Sequence, residues 1–246
     1  MTTQHSVEYN IIAPQLAAFG ITPINLNAFL YKTSAVLGGG AVTHYLYNKY
    51  TNTSLEQQEK SDLDFWIYDP MYWDFDNTTK TYNLEAFHSS RAYRTLIISQ
   101  LLESFPGFIE TKKDLQIEQQ YYNDMIERFR VQGGTYISVK WFINNSTGRT
   151  INLIFTSQLV SKVVANFDLP ICRALIYGSS VPELMLCQAN EQTIKDIQEK
   201  QLTIPSVIPE PPNYRSRIKK YIDRYGLVPR ETNTIGVTEK IETTLT

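Results

Sequence analysis

The sequence predicts an α/β (α+β) chain: a small mixed β-sheet flanked by helices, with a helical C-terminal portion. Three observations predict it. SDLDFWIY (61–68), TYISVKWFIN (135–144) and TINLIFT (150–156) are strand-length runs rich in aromatic and β-branched residues. RAYRTLIISQLLESF (91–105) places Tyr93, Leu96, Ile97, Leu101 and Leu102 at helical spacing. LGGGAV (37–42) sets glycines between an apolar strand and the start of a helix.

The elements follow in chain order. Residues 1–33 form a lead-in that mixes polar and apolar residues, with a helix over 10–19 interrupted near Pro14. Residues 34–50 read as a short strand, a glycine turn and a helix in which Val42, Tyr45 and Leu46 share a face. A polar loop over 51–60 leads to the SDLDFWIY strand. Residues 71–83 are irregular and aromatic, and 117–130 fit either a helix or a broken strand. The polar turn NSTGR joins the strands 135–144 and 150–156 as a hairpin. A helix over 157–167 takes Ser157 as its N-cap, 168–178 returns as a strand, and 181–200 is helical. LTIPSVIPEPPNY (202–214) is a proline-rich extended connector. The basic helix 215–226 ends at Gly226, a residue suited to the position after a helix. The Thr-rich stretch 229–246 reads as a disordered tail.

Composition limits the function classes. The chain has 246 residues, 42% hydrophobic and 20% charged, with a formal charge of −2. That is ordinary for a globular protein, and no global field advertises nucleic acid or a membrane. Cys172 and Cys187 cannot build a disulfide framework, and no Cys/His spacing suggests zinc. The N-terminal stretch lacks the pattern of a secretory signal, and no run of about 18 apolar residues suggests a membrane span. The reading is therefore a cytoplasmic or otherwise intracellular chain, with association with a virus particle left open.

The chemistry concentrates at Asp62 and Asp64. In a strand, residues i and i+2 share a face, so the two carboxylates project together while Leu63, Phe65 and Ile67 point into a core. Two anions about 5 Å apart at an effective dielectric near 20 repel by roughly 3 kcal/mol. A divalent cation reverses that term, and magnesium prefers carboxylate oxygens together with substrate phosphates. The bland alternative is a solvated strand end. Upstream, Gly38, Gly39 and Gly40 precede a helix N-terminus, whose unpaired N–H groups form a cradle for phosphate. Taken alone, those glycines read equally as a tight turn.

Together these residues carry a resemblance. VLGGGAVTHYLYNKY followed by SDLDFWIY resembles the nucleotidyltransferase superfamily of DNA polymerase β-like proteins. The resemblance runs over roughly 34–226 and implies a nucleotidyltransferase fold; the domain reading is 1–178, with 1–33 as its helical lead-in, and 179–228 packed on it as a helical and extended portion. The resemblance also implies Gly39 and Gly40 as nucleotide-binding positions, with Thr43 beside them as a further candidate, and Asp62 and Asp64 as catalytic residues that bind magnesium or manganese. The family carries a third carboxylate on a neighbouring strand; the matching position here is Asn152, which brings no charge and cannot act as a general base. Asp168, in NFDLPICRALIYG, is the other candidate for that role, against a capping role at its junction. Where tRNA-nucleotidyltransferase-like members have an Arg-Asp pair after the glycines, this chain has Thr43 and His44. The terminal RSRIKKYIDRYG helix is similar to that of uncharacterised nucleotidyltransferase-fold proteins of large DNA viruses and fungi.

Other residues add less. His5, His44 and His88 form no metal motif. Arg217, Lys220 and Arg224 share a helix side that could hold nucleotide or nucleic-acid phosphate, or simply face water. Two functions from different classes remain. One is a metal-dependent nucleotidyltransferase moving a nucleoside monophosphate from a triphosphate to a nucleic-acid, protein or small-molecule acceptor. The other is a degenerate member, a pseudoenzyme acting as a binding or structural component of an assembly.

Overall fold

In the computed structural model of the chain, the described residues are 2–55, 62–69, 75–76, 81–82, 84–111, 137–206 and 213–232. The fold is built on an eight-stranded sheet in the order β1-β10-β9-β2-β3-β8-β7-β6. Its strands are β1 (Thr2–Ser6), β2 (Val36–Gly38), β3 (Asp62–Tyr68), β6 (Phe108–Thr111), β7 (Ile137–Asn144), β8 (Thr150–Thr156), β9 (Ala174–Tyr177) and β10 (Leu186–Asn190). β3 and β8 run parallel, and every other neighbouring pair is antiparallel. The short pair β4 (Phe75–Asp76) and β5 (Thr81–Tyr82) lies outside this sheet.

The helices are α1 (Tyr9–Ala17), α2 (Pro23–Thr33), α3 (Gly40–Thr51), α4 (Leu84–Ser104), α5 (Val160–Ala165), α6 (Glu191–Gln198) and α7 (Tyr214–Tyr225). α2 has a clear local cause. The Thr22 hydroxyl accepts from the Asn25 N–H at 3.2 Å, and Pro23 occupies the first turn, where no N–H is needed. α7 stops at Gly226, whose φ of +62° suits a residue without Cβ. Among the described residues no helix is long and apolar enough to cross a membrane.

Strand alternation divides the apolar residues between two faces. Leu63, Phe65 and Ile67 enter the main core with Phe29, Leu30, Tyr45 and Phe105. Trp66, on the opposite face, joins a smaller cluster with Val139, Trp141, Ile154, Leu175 and the valines of α5. Asp62 and Asp64 have the parity of Trp66. They therefore lie on the same face as the smaller cluster that includes the valines of α5.

Several sequence expectations change. The helix α1 runs through Pro14 without interruption, held by buried Ile12 and Leu16. Residues 181–200 are not one helix: 186–190 form β10, because β1 and β9 satisfy its backbone on both sides. The helix expected over 157–167 begins only at Val160, with Leu159 rather than Ser157 as its N-cap. The preceding turn is fixed by the Gln158 N–H donating to the Thr156 hydroxyl. Of 168–178, the first part is a 3₁₀ turn at Pro170–Cys172, and only 174–177 are strand. The connector starts as β11 (Gln201–Pro205), paired in parallel with β12 (Val228–Thr232), so 229–232 are ordered strand rather than tail. The main sheet also crosses position 178, since β10 pairs with β9. The readings over 117–130 and 233–246, and most of 71–83, lie outside the described residues.

Candidate functional site

Register builds the site. Asp64 on β3 is level with Gly38 on one side and Asn152 on the other; Asp62 is level with Thr150. Both acids are partly exposed, whereas Leu63 and Phe65 are fully buried. The Asn152 side chain closes the arrangement. Its Nδ2 donates to Asp62 Oδ2 at 2.9 Å and to Asp64 Oδ1 at 2.7 Å. One oxygen from each acid therefore converges on a single point.

The glycine turn abuts this point. Gly39 has φ +68° and ψ −144°, a conformation open in practice to glycine alone, and it is the N-cap of α3. A Cβ built there would lie 3.1 Å from Asp64 Oδ2. The start of α3, with its unpaired N–H groups and positive dipole end, thus opens beside the carboxylates. Gly40 faces the Tyr221 hydroxyl, 3.7 Å from where its own Cβ would be.

Electrostatics mark Asp64. Burial of its carboxyl and the adjacent Asp62 push its pKa up to about 7, against the Asn152 hydrogen bond and the positive fields of Lys220 and Arg217. Both cations belong to α7, whose charge therefore acts on Asp64. Arg217 is anchored, its Nη1 donating to Asp168 Oδ2. Lys220 is exposed.

The other candidates separate from this group. Asp168 does not join Asp62 and Asp64. It pairs with Arg217 and accepts the Leu169 N–H, and among the described residues no three acidic, histidine or cysteine side chains cluster as metal ligands. The expectation that Thr43 contacts nucleotide does not fit its surroundings: it is fully buried, and its hydroxyl donates to Ile171 O at 3.0 Å. His44 is also buried, between Leu55 O at 3.0 Å and Arg224 Nη2 at 3.5 Å. A groove of about 690 Å³ lined by Glu8, Gln15, Asn48, Asn52 and Leu55 includes none of the site residues.

The donor set suits a hard divalent cation. Two carboxylates aim one oxygen each at the same place, and the Asn152 carboxamide can offer its own oxygen after turning over. A solved structure of similar fold is that of the Thermotoga maritima CCA-adding enzyme complexed with tRNA. The match has a TM-score of 0.54 and 12% sequence identity, covering 94% of this chain and 44% of that chain. This chain has a nucleotidyltransferase fold. It spans less than half the length of that enzyme. No protein-family model matches the sequence, and no curated protein matches it.

The structure brings together Asp62, Asp64, Gly39 and Asn152, which the sequence singled out separately. Sequence reasoning read Arg217, Lys220 and Arg224 as one helix side for nucleotide or nucleic-acid phosphate or for water, and did not connect Arg217 and Lys220 with the charge of Asp64. Helical spacing showed that they share a side of the helix but carried no sign of what that side faces.

Proposed function

We propose that this chain is a metal-dependent nucleotidyltransferase-like protein that binds a nucleoside triphosphate at Asp62 and Asp64 and passes the nucleoside monophosphate to an acceptor hydroxyl. The convergence of those two carboxylates beside the Gly39 turn carries the reading. Asp62 and Asp64 would hold magnesium or manganese. When bound, the ion supplies charge neutralisation at the transferring phosphate and the leaving pyrophosphate. The chain's own residues bind and orient. The start of α3 offers backbone N–H groups to phosphate oxygens. Lys220 adds a mobile positive charge, and Arg217, fixed by Asp168, adds a stationary one. The neighbour of similar fold is a CCA-adding enzyme bound to tRNA, which favours a nucleic-acid acceptor.

A second reading, binding without turnover, is favoured by one observation. The position beside the acids holds Asn152, which cannot take a proton from an attacking hydroxyl. General base catalysis typically contributes about 10²–10⁴-fold. The test uses each nucleoside triphosphate, labelled at its α-phosphate, with magnesium or manganese and with RNA, protein and small-molecule acceptors. Metal-dependent transfer that disappears in the Asp62→Asn, Asp64→Asn double variant supports the enzyme. Metal-dependent binding without transfer selects the second reading, and absence of both overturns the proposal.

A further inference from the structure

We propose that Asn152 is a built-in stand-in for the cation, holding the paired carboxylates together when no ion is present and turning its amide over when one arrives. The inference rests on the metal-binding reading of Asp62 and Asp64. Its basis is geometric. A single nitrogen, Asn152 Nδ2, reaches Asp62 Oδ2 at 2.9 Å and Asp64 Oδ1 at 2.7 Å, so each of its two hydrogens serves one acid. That nitrogen takes the bridging position an ion shared by both oxygens would need. An amide can do this because it carries both donors and an acceptor on one planar group. The donors face the acids in the ion-free site, and the acceptor would face an ion in the loaded one.

The backbone leaves the amide no other neighbourhood. Asn152 is level with Asp64 across the parallel β3–β8 ladder and with Trp141 on β7. It is 8% exposed, so its donors would be costly to leave unsatisfied. Sheet pairing fixes its backbone from both sides, so the switch is confined to the side chain. A third carboxylate at this position could not play the ion-free part. Ionised, it would have no donor, and a third negative charge would press on the other two against the fields of Lys220 and Arg217. Asn152 therefore makes the fold independent of its metal, in exchange for weaker metal binding.

The test is a donor–acceptor swap in the full chain, read by thermal unfolding in EDTA and by Mn²⁺ binding measured by electron paramagnetic resonance. Asn152→Asp should lower the melting temperature in EDTA by roughly 5 °C, recover it when Mn²⁺ is added, and bind Mn²⁺ at least tenfold more tightly than the parent. Adding Asp62→Asn to Asn152→Asp restores two acids and one amide. That double variant should regain the parent's stability in EDTA even if Asn152→Asp alone fails to fold. Equal stability of Asn152→Asp and parent in EDTA, or no rescue by the swap, overturns the inference. If the swap rescues stability while parent and Asn152→Asp both fail to bind Mn²⁺, the metal-binding reading falls and the loaded half of the switch falls with it. If the parent binds Mn²⁺ and Asn152→Asp binds no more tightly, the inference fails and the reading stands.

Discussion

His44 is sealed between α3 and α7, with Leu55 O accepting from Nε2–H and Arg224 donating toward Nδ1. Both contacts suit a neutral ring. Burial, helped by the nearby Arg224, lowers its pKa from 6.5 to about 4. Between those values the unfolded chain takes a proton that the folded chain refuses. Its contribution is therefore complete above about pH 6.5 and is lost as pH falls toward 4. Asp64 runs the other way, because its raised pKa favours the folded state as acid protonates it. Comparing parent with His44→Gln cancels that opposing slope. Urea unfolding at pH 7 and pH 4.5 should show the parent losing about 2 kcal/mol more than the variant; equal losses would mean that His44 is charged when folded. Gly39 is a second test at this scale. Alanine there meets both the positive φ and Asp64 Oδ2, so Gly39→Ala should cost about 1–3 kcal/mol in urea unfolding and abolish nucleotide binding. Thr43 shows a limit of single-residue reading. A threonine after a glycine turn suits a phosphate ligand, but its hydroxyl was claimed by Ile171 O, more than a hundred positions away.

The helix α7 carries two cations with different tasks. Ile218, Tyr221 and Tyr225 seat it in the main core, and the Tyr47 hydroxyl donates to Tyr225 O at 2.9 Å. Arg217 then ties its first turns to Asp168, whose side chain is only 9% exposed. Truncating Arg217 to alanine should cost about 2–3 kcal/mol in denaturant unfolding, since a nearly buried carboxylate loses its charged donor. Lys220→Ala should change stability by less than about 0.5 kcal/mol. It should weaken nucleotide binding about tenfold, with the difference shrinking as salt rises. The boundaries of α7 were legible because its apolar spacing is regular and Gly226 ends it. β10 was not legible: LCQAN sits in a run with enough helix formers to pass as one helix, and only pairing with β1 and β9 makes it a strand. β1 is largely exposed and shows no apolar alternation, so nothing in TTQHS announces a strand. The β11–β12 pair joins segments separated by α7, a contact that no local pattern encodes.

At the scale of the whole molecule, the sheet places its most enclosed strands under the site. β3 and β8 pair on both sides and carry fully buried Leu63, Phe65, Leu153 and Phe155. Their amides should exchange most slowly in native-state hydrogen exchange, with β6, the outermost strand on that side among the described residues, and the peripheral β12 exchanging faster. Faster exchange at β3 than at β6 would mean that the acids stand on a mobile platform. The site's centre was readable from sequence because glycines, strand and acid pair are contiguous signals. Its surroundings were not, because Asn152 meets Asp64 only through sheet order, and the charges of Lys220 and Arg217 act on Asp64 only through the placement of α7. The claim beneath all of this is that Asp62 and Asp64 together grip a cation that carries polyphosphate. Calorimetric titration of a non-hydrolysable nucleoside triphosphate, with and without magnesium, tests it most directly in the parent and in the folded Asp62→Asn, Asp64→Asn variant. The account predicts binding by the parent that requires magnesium and weakens at least tenfold in the variant. Binding that is indifferent to magnesium, or equal in the two proteins, would contradict it.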